Sequence, residues 1–160
     1  FHRRFPSKER CLLALLEELG ADALRCVERS ALAVPWPESA HAAIGGFLGH
    51  LLEREVLARL AFAELLPLGP AASRHLTRPV AQLIGVATAG APEPRHGPLI
   101  AEEALTGALW GAVSSYPLHS RRSRLSWLVD QLTFLLLASY IGPKAAVEVV
   151  EAARRRASGA

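Results

Sequence analysis

The residues of this chain that could do chemistry are its histidines, cysteines and carboxylates. Six histidines are scattered at His2, His41, His50, His75, His96 and His119. A helical metal pair needs two ligands at i and i+4, and neither such a pair nor an HExxH motif occurs. His41 and His50 lie nine residues apart within one readable helix. That spacing is about 900° of rotation, so they occupy opposite faces and would need a third element to share a metal. Two aspartates, Asp22 and Asp130, and thirteen glutamates form no spaced acid–base pair. Ser114 and Ser115 lack the GxSxG context of a nucleophile elbow. No glycine-rich loop is placed to cradle phosphate. The pattern points away from an enzyme and implies no metal and no cofactor.

Cys11 and Cys26 fall on one long predicted helix. Fifteen helical residues separate them by about 22 Å, whereas a disulfide needs Cα atoms within about 7 Å. They read as two reduced, buried thiols of a cytoplasmic protein.

The elements that must position these groups are helices. The 160 residues suit one domain, and 51% hydrophobic with 21% charged residues excludes disorder. Aromatics are only 6%, and Ala and Leu dominate, which favours an all-α fold. A net charge of +3 is too weak to argue for nucleic-acid binding by itself. No signal peptide is visible. The most apolar run, Leu125 to Ile141, contains Asp130 and Gln131. It falls short of the ~20 nearly uncharged residues a spanning helix needs, so it reads as a buried bundle helix and no membrane partner is expected.

Ser7 predicts an N-cap, and Leu12, Leu16, Leu19, Ala23 and Val27 then recur at helical steps to about residue 32. Pro37 suits the first turn of a second helix, whose core face is Ile44, Phe47, Leu48, Leu51 and Leu52. Further helices are expected over about 55–66, 71–88 with a kink at Pro79, 98–116 and 123–140. Gly142-Pro143 then opens a terminal helix.

The helix over 98–116 carries a stripe of small residues, Ala104, Ala108, Gly111 and Ser115, which lets another helix approach closely. The helix over 123–140 is apolar nearly all round and needs burial on more than one side. A two-fold homodimer supplies it, with Leu128, Leu132 and Leu135 joining the small stripe at the interface. Thr106, Trp110, Val113 and Tyr116 lie on the opposite side of helix 98–116. With Phe47, Phe62 and Leu83 they either fill the core or line a cavity of several hundred cubic ångströms. Thr106 would then be the polar anchor, and the ligand a small apolar or aromatic molecule.

The first sixteen residues read FHRRFPSKERCLLALL. This resembles the end of the DNA-binding head of TetR/AcrR-family transcriptional regulators, through Phe1, His2, Arg4, Phe5, Lys8, Glu9, Leu12 and Leu13. His2 stands where the family has Tyr and Arg4 where it has His; both can still donate to phosphate. The resemblance implies that residues 1–6 are the tail of a helix-turn-helix head. Residues 7–160 are then the effector-binding and dimerisation bundle, and His2, Arg4 and Lys8 are contacts to operator phosphates. It implies a cytoplasmic homodimeric regulator, in most cases a repressor, that a small effector releases from DNA. The segment given, with only the tail of the head, is expected not to bind operator specifically. The alternative is an all-helical dimeric interaction module that has no head and binds no ligand.

Overall fold

The computed structural model describes residues 7–32, 34–54, 56, 70–94, 104, 107–108, 111 and 122–159. The fold is all-α. Among the described residues five helices run in chain order: α1 (Lys8–Ala31), α2 (Glu38–Glu53), α3 (Pro70–Ala87), α4 (Arg122–Ile141) and α5 (Pro143–Ser158). Residues 104, 107, 108 and 111 are also helical, and no strand occurs among the described residues. None of the described helices is long and apolar enough to cross a membrane.

α1 begins where the capping chemistry places it. The Ser7 side chain accepts the Arg10 backbone N–H at 3.1 Å, satisfying one of the orphan donors of the first turn. Leu12, Leu16, Leu19, Ala23, Val27 and Ala31 are all buried along one stripe. The chain leaves at Leu32, whose N–H still reaches the Glu28 carbonyl at 3.0 Å.

α2 is the hub. It packs against α1, α3, α4 and α5. Its Ala40, Ala43, Ile44, Phe47, Leu48 and Leu51 are buried among these neighbours. Two details differ from the sequence-based expectation. Pro37 is the N-cap of α2, with Glu38 the first helical residue. Leu52 is half-buried and lies outside the core, because it sits at the edge of the stripe that Leu48 and Leu51 centre.

α3 continues through Pro79 as one helix. A proline inside a helix gives up a hydrogen bond and crowds the preceding turn, and here its ring serves a helix contact. A Cβ built on Gly20 of α1 would lie 2.7 Å from Pro79 Cγ. Gly20 therefore lets α1 and α3 approach closely. Replacing a mid-helix glycine by alanine ordinarily stabilises by about 1 kcal/mol. Gly20→Ala is expected to destabilise instead, because a proline ring cannot swing aside. Gly85 of α3 has open space around the same position, so Gly85→Ala is expected to stabilise by about 0.5–1 kcal/mol. Denaturant titration of the two variants reads the opposite signs directly.

α4 buries Val129, Leu132, Thr133, Leu136, Leu137 and Tyr140. It is not enclosed on every side, however. Trp127 is 52% exposed and Leu135 49% exposed. Gly142, at φ 86°, turns the chain from α4 into α5. A positive φ suits glycine, and Pro143 at the first helical position then restarts the helix.

Candidate functional site

An open, mostly apolar recess lies between α1, α3 and the connection from α1 to α2. Its volume is about 800 Å³. Leu24, Glu28 and Ala31 form its α1 wall, and Gln82, Gly85 and Val86 its α3 wall; Trp36 and Ser39 close one end. The chemistry of this lining is mostly hydrocarbon, with the Glu28 carboxylate and the Gln82 amide as polar groups on exposed residues. Trp36 packs edge-on against Tyr140 of α4, with ring centroids 6.3 Å apart. Its indole Nε1 is buried with no hydrogen-bond partner among the described residues. Such a donor is completed by a carbonyl, ether or hydroxyl oxygen.

A second feature is the buried carboxylate of Asp130, on a residue 4% exposed. Its Oδ1 meets His41 Nε2 of α2 at 3.0 Å, and its Oδ2 meets Arg154 Nε of α5 at 2.5 Å. A His–Asp pair can orient an imidazole for proton transfer. Here both carboxylate oxygens are engaged by side chains from two other helices, so the arrangement ties α2, α4 and α5 together. Among the described residues no group of three or more His, Cys, Asp or Glu side chains could hold a metal ion.

The residues chosen from sequence fall in several places. Phe47 and Leu83 are in the packed core, at 5% and 0% exposure, and are not among the residues lining the 800 Å³ recess. Leu132 also faces the chain's own core. Leu135 is half exposed, while Leu128 and Ala108 are half-buried against the core. Ala104 is exposed, and Gly111 is half-buried. Lys8 is exposed at the start of α1. His2, Arg4, Phe62, Thr106, Trp110, Val113, Ser115 and Tyr116 lie outside the described residues. Cys11 and Cys26 are both free thiols and half-buried, where the sequence reading expected them buried. A helix stripe wide enough for Leu12 and Val27 leaves its flanking positions only partly covered.

Sequence reasoning missed Trp36, Gln82, Gly85 and Val86. The Val34-Pro35-Trp36-Pro37 run carried a signal. Two prolines stop α1 and hold the indole between them. That the indole would face α3 depends on how α1 and α2 are joined, which no local pattern encodes.

Comparison of the chain with family models, with curated proteins and with solved structures found no match.

Proposed function

We propose that this chain is the effector-binding and dimerisation part of a TetR/AcrR-like transcriptional regulator, a repressor acting in the cytoplasm. The observation that carries the reading is the position of the 800 Å³ recess on α1. Leu24, Glu28, Ala31 and Leu32 of that helix line it. The other end of α1 leads back to the basic stretch that resembles the tail of a DNA-binding head. A ligand lodged against α3 thus touches the one helix that runs to the head. The effector is a small apolar or aromatic molecule.

The energetic requirement is linkage. The effector must bind the DNA-free arrangement more tightly than the DNA-bound one. Two heads in successive major grooves sit about 34 Å apart, so a small tilt of α1 can break simultaneous docking.

Homodimerisation is supported by the outer side of α4. Trp127 and Leu135 lie within about 80° of each other around the helix and leave large apolar surface uncovered. Light scattering is expected to give twice the 17.2 kDa chain mass. Leu135→Glu should shift it toward the monomer.

The decisive experiment is footprinting of the complete natural gene product on genomic DNA. A protected site with two half-sites one helical turn or a multiple apart is expected. Absence of any sequence-specific footprint, even at low salt, would remove the repressor reading.

A further inference from the structure

The geometry points to Cys26 as a nucleophilic site for small α,β-unsaturated carbonyl compounds, with His50 and Arg29 as its activating neighbours. This inference does not depend on the proposed regulatory function.

Cys26 on α1 and His50 on α2 are brought together by a close helix contact one turn away. A Cβ on Gly46 would lie 2.7 Å from Ser30 Oγ and 3.2 Å from the Cys26 carbonyl oxygen. The absence of that side chain lets the two backbones meet there. The next turn of each helix then sets the Cys26 Sγ 3.6 Å from His50 Nδ1. Arg29 adds a second contact from α1, donating from Nη2 to the same sulfur at 3.2 Å.

The three side chains line an open recess of about 350 Å³, with Ser30, Gly46, Gly49 and Glu53 completing its wall. Cys26 is half-buried, and a Cβ on Gly49 would meet only open space. The sulfur therefore borders a space large enough for a small organic molecule. Partly exposed thiols beside cationic groups are the ones that react; among the described residues Glu53 is the single acidic side chain in this wall.

His50 supplies an independent observation. It is only 7% exposed, and its Nε2 is buried without a hydrogen-bond partner among the described residues. A buried imidazole with one nitrogen unsatisfied costs stability. Its polar contact among the described residues is the thiol, so the ring is held where it can exchange a proton with sulfur.

The reaction is a conjugate addition. The Cys26 thiol proton passes to His50 Nδ1, and a sulfur electron pair forms the S–C bond at the β-carbon. The C=C π pair shifts toward the carbonyl, giving an enolate whose oxygen Arg29 can receive with an N–H. The α-carbon then takes the proton back from His50. One S–H bond and one π bond are lost; one S–C and one C–H bond form. No oxidant or reductant is required.

The test treats the folded chain with methyl vinyl ketone at neutral pH and follows each cysteine by peptide mass spectrometry. Cys11, also half-buried, is the internal reference. Cys26 is expected to react at least about tenfold faster than Cys11, a threshold set below the roughly 10²–10⁴-fold that a positioned base supplies. That advantage should vanish in urea. It should fall several-fold in Arg29→Met, an exposed position whose replacement leaves the fold intact, and further in His50→Gln where circular dichroism shows that variant folded. Equal rates for the two native cysteines would overturn the proposal. So would an advantage that survives in urea, or one that Arg29→Met leaves unchanged.

Discussion

Phe47→Ala is expected to cost about 4 kcal/mol of folding stability and to lower the melting temperature by about 10 °C. Phe47 is 5% exposed at the centre of α2, among core residues from α1, α3 and α4. Removing the ring deletes its transfer energy and leaves a cavity that helices on several sides cannot collapse to fill. Leu83→Ala, at 0% exposure on α3, is expected to cost about 3 kcal/mol for the same reason. Both residues were candidates for an effector cavity on sequence grounds, and the experiment separates the two roles. A ring that faces open space loses little on truncation. A measured cost below about 1.5 kcal/mol for Phe47→Ala would therefore place a cavity beside it and undo the core assignment.

Arg154→Ala is expected to cost about 2 kcal/mol, although the arginine side chain is 53% exposed. The exposed ion pair itself contributes little, since water and salt screen it. The cost comes from what the substitution leaves behind. The Asp130 side chain is 6% exposed, and its Oδ2 loses its donor while the charge stays buried. Asp130→Asn in the Arg154→Ala background should recover part of the loss, because a neutral amide is cheaper to bury than a carboxylate. The double-mutant cycle should give a coupling of about 1 kcal/mol or more. Urea denaturation of the four proteins measures it. A single Arg154→Ala loss within about 0.5 kcal/mol would mean that His41 alone satisfies the carboxylate.

The recess and the Cys26 cluster both lie on α1, at opposite sides of its C-terminal half. Leu24, Glu28 and Ala31 face the 800 Å³ recess. Cys26, Arg29 and Ser30 face the 350 Å³ one. These sets interleave at helical spacing, so α1 carries two lined faces beside its core stripe. A change on either face acts on the same helix.

Local features were legible from the residues alone. Ser7 caps α1, and the stripe from Leu12 to Val27 is buried as its spacing requires. Gly142-Pro143 separates α4 from α5 for the reason its chemistry gives: a positive φ, then a proline at the first helical position. His41 and His50 do sit on different faces of α2, one meeting Asp130 and the other Cys26. All of these follow from backbone rotation per residue and from side-chain chemistry within one turn.

The partners did not follow. Asp130 was visible as a polar residue in an apolar run, but Arg154 is 24 positions away and His41 is 89. Nothing in the spacing of α4 says which of its apolar positions stay outside, and Trp127 and Leu135 do. Periodicity specifies which residues share a face. The crossing of helices, set by how ridges and small residues such as Gly20 and Gly46 let them approach, decides what that face meets. The all-α fold was therefore written in the sequence, whereas the recess at Trp36, the Asp130 tie and the Cys26–His50 contact exist only once the helices are packed.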